Sequence, residues 1–326
     1  MFNICIIGCG GMSNAVHGPS FAKYAKDNNN VNLLACCDIN EQAAKTYALK
    51  FGFQKYYTDI DTMLKEKQPD ALSVIVPVNL TKEISIKVMK YGYPVILEKP
   101  PGINEAQCRK MITIAKSNNI KNQVAFNRRY SPIISHFKNM LNKCEYDLEY
   151  IKCDFYRNQR KDKDFSTTCI HGIDTVRYLI GSNYKTISFT YQPLKHSPVG
   201  NIFLDCTFSN GVKAHINFMS CVGKSQEEYL INAYDNTYIL KHAVGNDLET
   251  SGRITHFINA VKVYDQTGIQ LKIPNENYIC AGFYNENKHF FDCVRNDIEI
   301  SGNIADGLQS VIIADCIRNK ITNYSF

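Results

Sequence analysis

The segment Phe2 to Phe21 constrains the fold of this chain more than any other. An apolar run, Asn3-Ile4-Cys5-Ile6-Ile7, stops at Gly8-Cys9-Gly10-Gly11-Met12-Ser13 and resumes as Asn14-Ala15-Val16-His17. A short, continuous run rich in β-branched residues reads as a strand buried on both faces of a parallel sheet. The glycines read as a tight turn into a helix. Gly8 permits the turn, and Gly10 lets backbone N–H groups at the helix N-terminus approach a pyrophosphate. Ser13 occupies the third position of the G-x-G-x-x-G fingerprint, where Gly or Ala is usual, and is small enough to keep the helix close to the strand. The alternative reading is an ordinary strand-to-helix turn.

A second feature favours a nucleotide site. Val31-Asn32-Leu33-Leu34-Ala35-Cys36-Cys37 is another apolar run, and it ends at Asp38. In a dinucleotide fold the second strand ends in a carboxylate that accepts hydrogen bonds from the adenosine ribose. Asp38 lies a few residues beyond the nominal spacing of ~20, with the Asn-rich turn Asn28-Asn29-Asn30 in between. A carboxylate in this position also serves simply as a helix cap. Asp38 would repel a 2′-phosphate, and Ile39 supplies no compensating Arg, so the pair predicts NAD rather than NADP.

At 326 residues the chain is long enough for two domains and a sizeable core. The net charge of +6 is modest and its basic residues are interleaved with acidic ones, which argues against nucleic acid. No apolar run approaches the ~18 residues of a membrane span, and the first apolar segment lacks the basic leader of a signal peptide. The 13 cysteines form no C-x-x-C pair, and Cys5, Cys36 and Cys37 sit within apparent core strands. Reduced, buried thiols in a cytoplasmic protein are the expectation.

Through about residue 128 strands alternate with helices, which predicts a doubly wound parallel sheet, the Rossmann arrangement. Expected helices are 41–51, 59–67, 81–91 and 104–117; expected strands are 55–57, 71–76, 94–97 and 122–126. Gly8, Asp38, Pro77, Lys99 and Asn127 all fall at strand ends, where ligands of such sheets bind. The remainder, 129–326, reads as an α+β domain on a largely antiparallel sheet. It begins with a helix at 131–142, a strand at 148–156 and a helix at 167–180 ended by Gly181. Strands follow from Thr186. Ile202 to Ser209, the Asn210-Gly211 turn and Val212 to Ser220 form its clearest hairpin, 228–232 and 237–240 form another pair, and 280–295 and 305–319 return to helical spacing.

The order of motifs resembles the glucose-fructose oxidoreductase, inositol dehydrogenase and rhizopine catabolism family along nearly the whole chain. The residues that carry the resemblance are Gly8-Cys9-Gly10-Gly11, Asp38, Val76-Pro77 with Asn79, and Gly92-Tyr93-Pro94-Val95 leading to Glu98-Lys99-Pro100. Phe126-Asn127-Arg128-Arg129-Tyr130-Ser131-Pro132 and His171-Gly172-Ile173-Asp174 complete the series. The resemblance implies a nicotinamide-dependent oxidoreductase of sugars, sugar derivatives or cyclitols. It also implies an open-faced second sheet that serves a homodimer or homotetramer. Family members often carry His at the position of Thr81, and Asp at the position of Thr167. A cofactor-binding regulator or sensor without turnover is the alternative on the same fold.

Oxidising a secondary alcohol needs a hydride acceptor, which the cofactor supplies, and a group that takes the hydroxyl proton. Lys99 is the candidate relay, with His171 as a second catalytic candidate. The substrate-side candidates are Arg129, Tyr130, Thr167 and Asp174, although Asp174 reads equally as a residue that orients its helix. Cofactor-side candidates are Gly8, Gly10, Gly11, Met12, Asp38, Ile39, Pro77, Asn79, Glu98, Lys99 and Asn127. Arg128 is left between ligand contact and solvated charge. His171 and Asp174 lack a third ligand at suitable spacing, so no metal is expected. The charged loop 157–164 reads as solvated, or as a contact for a substrate phosphate. Cys9 and Cys169 read as packing residues.

Overall fold

A computed structural model describes residues 1–162 and 164–326; Lys163, in the charged loop 157–164, lies outside the described residues. The chain divides into two compact units, one of residues 1–127 and 282–311, the other of residues 128–281 and 312–326. The sequence reading placed a single boundary after residue 128, whereas the structure returns 282–311 to the first unit.

The first unit holds a six-stranded parallel sheet of β1 (Phe2–Ile7), β2 (Val31–Cys37), β3 (Lys55–Tyr57), β4 (Ala71–Val74), β5 (Val95–Leu97) and β6 (Asn122–Val124). Its order is β3-β2-β1-β4-β5-β6, so the strand order reverses between β1 and β4. The connecting helices are α1 (Gly18–Asp27), α2 (Glu41–Phe51), α3 (Ile60–Glu66), α4 (Val78–Lys90) and α5 (Glu105–Ser117). Asn40, Asp59 and Asn104 cap α2, α3 and α5, each accepting a hydrogen bond from a backbone N–H in the first turn. The helix expected at 81–91 starts three residues earlier, because Pro77 serves as the cap of α4.

The second unit is built on a nine-stranded sheet. Its strands are β7 (Leu148–Tyr156), β8 (Tyr184–Leu194), β9 (Ser197–Phe208), β10 (Lys213–Met219), β11 (Gln226–Ala233), β12 (Asn236–Lys241), β13 (Arg253–Ile258), β14 (Val261–Thr267) and β15 (Asn323–Ser325). The order is β14-β13-β12-β11-β7-β10-β9-β8-β15, and only the β7–β10 pair is parallel. Helices α6 (Pro132–Leu141) and α7 (Ser166–Ile180) belong to the same unit. α7 presses on the sheet at Gly172, where a Cβ would come within 2.8 Å of the Phe218 ring and 3.1 Å of the Phe155 ring. Gly181 ends α7 in the left-handed conformation, as its position predicts.

The helix expected over 280–295 is broken. A short α8 (Asn277–Cys280) ends before Gly282, whose φ of +96° stops the helix, and α9 (Phe283–Arg295) starts afresh. α9 belongs with the first unit because its apolar face packs on α1 and β1. The Phe291 ring lies 5.1 Å from Tyr24 and 6.2 Å from Phe2, and the Tyr24 hydroxyl donates to Asp292 at 2.7 Å. The final helix, α10, covers Leu308–Arg318. No helix among the described residues is long and apolar enough to cross a membrane.

Candidate cofactor and catalytic sites

At the turn after β1, Gly8 has φ +101°, and a Cβ there would stand 2.0 Å from the Ile75 carbonyl oxygen. Only glycine fits, for two reasons: the backbone is in the left-handed region, and it passes directly against the chain leaving β4. A Cβ on Gly10 or Gly11 would meet no heavy atom within 4 Å, so the approach to this loop is open. Asn14 stiffens the loop by donating its side-chain amide to the carbonyls of Cys9 at 2.7 Å and Gly10 at 3.1 Å. Ser13 is buried and its hydroxyl donates to Tyr47 at 3.0 Å, so the third fingerprint position ties the new helix to α2.

Asp38 follows β2 and turns back toward this loop. One carboxylate oxygen accepts the Cys9 N–H at 2.8 Å, and the other accepts the Asn40 N–H at 2.9 Å. Both oxygens are oriented by backbone, and each retains acceptor capacity for a hydroxyl. Ile39 is 93% exposed and Met12 is half exposed on the same loops. Pro77 and Asn79 stand exposed at the start of α4. Thr81 is buried, and its hydroxyl turns back to the Pro77 carbonyl at 3.4 Å. A glycine turn against the sheet's switch point, an open helix N-terminus and a pinned carboxylate fit a dinucleotide.

Glu98 and half-buried Lys99 leave β5 on the same edge of the sheet, and the Lys99–Pro100 peptide is cis. Glu98 is committed within the unit. One oxygen lies 3.0 Å from His17 Nε2, and the other accepts the Lys99 N–H at 3.1 Å. Burial alone would push this carboxyl up. The His17 hydrogen bond, the charge of Lys99 and the Lys99 N–H overturn that and hold it below the usual carboxylate range. Sequence reasoning placed Glu98 on the cofactor and did not find His17, whose partner is 81 residues away. Asn127, the last residue of the first unit, is buried.

The second unit gathers its own polar cluster. Arg128 and Arg129 open a 3-10 turn, Asn127–Tyr130, and point to different partners. Arg129 forms a two-pronged pair with Asp174 on α7, at 2.7 and 2.6 Å. These two residues, read from sequence as substrate contacts, use their charges on each other, because Asp174 is buried and a buried carboxylate needs a paired cation. Half-buried Tyr130 ends the turn. Arg128 donates to Glu227 at 3.2 and 2.7 Å and sets its Nη1 3.2 and 3.3 Å from the two ring nitrogens of buried His171. It is therefore not a solvated charge. Thr167, one turn before His171, directs its hydroxyl to the Asp164 carbonyl at 3.1 Å.

Glu227 is the hub of this cluster. It is fully buried, accepts from Arg128 and Arg157, and lies 3.1 Å from His242 Nδ1. His242 reaches on to Ser131 at 3.1 Å, and Ser131 donates to the Cys280 carbonyl at 2.8 Å. Burial opposes the Glu227 charge, but the two guanidinium groups and His242 outweigh it and hold the carboxyl well below its ordinary range. Arg157 corrects the reading of loop 157–164 as wholly solvated: it folds over the Phe155 ring at 3.9 Å and pairs inward with Glu227. Arg160, on the same loop, bonds Asp162 and Thr168. None of Glu227, His242 and Arg157 was singled out from sequence, because the hub is 99 residues from Arg128 and no local motif marks it.

Cys9 and Cys169 pack as expected. Both are buried; a hydrogen bond with Cys36 and burial push the Cys9 thiol up, and burial does the same for Cys169. Among the described residues no group of three or more His, Cys, Asp or Glu is placed to hold a metal ion.

Comparison with known proteins agrees with the Rossmann reading of the first unit. Residues 2–126 match the model of an oxidoreductase family with an NAD-binding Rossmann fold. D-glucoside 3-dehydrogenase of Escherichia coli is 32% identical over 113 residues, 35% of this chain and 31% of that protein. Inositol 2-dehydrogenase of Salmonella paratyphi B is 23% identical over 185 residues, 54% of this chain and 55% of that one. The chain thus matches between 31% and 57% of the length of curated relatives such as these. A solved levoglucosan dehydrogenase in complex with NADH shares the fold, with a TM-score of 0.82 at 17% identity, covering 99% of this chain and 98% of that one. Over residues 2–126 the chain is therefore similar to the NAD-binding domain of the oxidoreductase family of glucose-fructose oxidoreductase, inositol dehydrogenase and rhizopine catabolism.

Proposed function

We propose that the protein is an NAD-dependent dehydrogenase that moves a hydride between nicotinamide and a secondary alcohol or ketone of a sugar, sugar derivative or cyclitol. The observation that carries this reading is the shared edge of the first sheet. The Gly8 turn, the pinned Asp38 and the Glu98-Lys99 segment all stand at the carboxyl ends of its strands. NAD, when bound, supplies the hydride acceptor. Asp38 binds the ribose hydroxyls, the helix N-terminus at Gly10 and Gly11 receives the pyrophosphate, and Lys99 carries the substrate's hydroxyl proton. Within the second unit His171, with Arg128 against its ring, is the second catalytic candidate. The names of the relatives support the substrate class. Screening inositols, free sugars, sugar phosphates and nucleotide sugars at the reduced-nicotinamide absorbance band tests the reading. A cofactor that binds with no turnover across that panel would favour a sensor instead.

Asp38→Ala is expected to weaken NAD(H) binding by roughly 10- to 100-fold, the loss of hydrogen bonds to a charged group, and to narrow the preference over NADP(H). Titration of both cofactors against wild type and mutant checks this. Tighter binding of NADP(H) than NAD(H) by the wild type would refute it.

The outward face of the second sheet is proposed as a contact between copies of the chain. Of the phenylalanines on β9 and β10, Phe208 and Phe218 are fully buried on the inner face. Positions five apart on one strand point to opposite sides, so Phe203 and Phe208 cannot share a face. The outer face instead mixes half-buried Phe203, Tyr150 and Leu230 with Lys152 and Asp205. Light scattering at micromolar concentration is expected to show a dimer or tetramer, and Phe203→Glu to shift it toward monomer. A monomeric wild type would contradict this assignment.

A further inference from the structure

His17 lies at the end of a single π-helical turn, Ser13–His17, between the glycine loop and α1. Such turns are rare and concentrate at functional sites, because one extra residue re-aims the side chains around it. Here the side chain re-aimed is an imidazole with no exposure to solvent, packed edge-on against Phe283 at 5.6 Å.

The hydrogen bonds fix its state. Asn287 places its amide nitrogen 3.2 Å from His17 Nδ1 and donates from the same nitrogen to the Phe283 carbonyl at 2.7 Å. An amide nitrogen only donates, and the Phe283 carbonyl decides which end of the amide faces the ring. Nδ1 is therefore an acceptor, and the ring proton sits on Nε2, directed at Glu98 3.0 Å away. The other Glu98 oxygen accepts the Lys99 N–H, so the carboxylate is held on both sides beside the lysine. A chain of contacts thus runs from Asn287 through His17 and Glu98 to the backbone of Lys99, all within the first unit.

We propose that His17 is a positioning residue for Lys99: through Glu98 it fastens the end of β5 to the helix that opens on the cofactor loop. The role of Lys99 rests on the dehydrogenase reading above; the coupling of His17 to Lys99 does not. Leucine at position 17 occupies a similar volume without either ring nitrogen, whereas glutamine returns an N–H donor near the position of Nε2. Glu98 has no comparable donor from the ring in the leucine variant and is free to leave its present orientation.

The test has two readouts. The first is NMR of reductively ¹³C-methylated protein, with the Lys99 signal assigned by its absence in Lys99→Arg. His17→Leu is expected to move the Lys99 resonance and shift its titration midpoint by about half a pH unit or more, in the direction produced by Glu98→Gln, on the scale set by a nearby charge. His17→Gln is expected to restore both. The second readout is kinetic. His17→Leu should lower kcat by about 10- to 100-fold, the cost of a small misplacement, with the KM for NAD changed no more than about twofold and with recovery in His17→Gln. An unchanged Lys99 signal in a folded His17→Leu protein overturns the proposal whatever the turnover. A changed and rescued signal supports it even where no substrate is turned over, and that absence of turnover then counts against the dehydrogenase reading alone. A Lys99 signal that moves in His17→Leu but stays moved in His17→Gln overturns the donor role of His17.

Discussion

Lys99→Ala is expected to lower turnover by roughly 10²–10⁴-fold, the usual cost of removing a positioned proton-transfer group, while NAD(H) still binds. The cofactor contacts proposed above come from the Gly8 turn, the open helix N-terminus and Asp38, none of which depends on the Lys99 ammonium. Lys99 leaves β5 two residues after Leu97, and the residue before it is anchored on both carboxylate oxygens. Its stem therefore starts from a fixed point. Lys99→Arg should fail as well, because guanidinium retains its charge but does not release a proton at working pH. Equilibrium binding of NADH by fluorescence, measured beside steady-state turnover on a substrate from the screen, separates the two effects. A Lys99→Arg enzyme with wild-type turnover would eliminate the proton-relay role and leave Lys99 as a charge that orients substrate.

What the sequence revealed follows from distance along the chain. The glycine turn, Asp38 and the alternation of strands and helices are local patterns, and the structure has them where periodicity places them. Gly8 is legible because a strand-to-helix turn needs a residue without Cβ, and the Ile75 carbonyl shows why. His17 was not legible. It belongs to the same helical segment as the fingerprint, yet its meaning comes from Glu98 and Asn287, which are 81 and 270 residues away. The Arg128–Glu227–Arg157 cluster escaped for the same reason. The loop 157–164 reads as rich in charge of both signs, and nothing local distinguishes the arginine that pairs with Glu227. Strands β13 and β14 were not assigned at all; their exposed Arg253, Val261 and Val263 blur the inward and outward alternation that marks a half-buried strand. The return of α9 to the first unit was also hidden. An amphipathic helix announces that one face is covered, and not by what.

Glu227→Gln should be the most destabilising single polar substitution in the second unit, by about 3–5 kcal/mol, the range for breaking a buried ion pair from one side. Glutamine preserves shape, so no cavity contributes. What is lost is the one negative charge that Arg128 and Arg157 share, and each of those side chains is only 13% exposed. The pH dependence carries the sign of the effect. Glu227 is held well below its ordinary range, so the wild type has the full benefit above the unfolded carboxyl pKa of about 4.3. That benefit is lost as the pH falls from there through the folded value, while the glutamine variant has nothing equivalent to lose. The gap between the two proteins should therefore narrow below about pH 4.3. His242 acts earlier and moves the gap in the opposite sense. Burial pushes its imidazole down, Glu227 pulls it up, and the two arginines push it down again, leaving it below its ordinary value. A histidine lowered in the folded state destabilises as the pH falls below its unfolded pKa of about 6.5, because the unfolded chain takes up the proton first. Removing Glu227 takes away what pulls His242 up, so the variant should suffer more in this interval and the gap should first widen. Urea unfolding of both proteins at steps from pH 8 to pH 3.5 measures the whole curve. A variant as stable as wild type at pH 7, or a gap that stays constant below pH 4.3, would mean that Glu227 does not hold the two arginines in place.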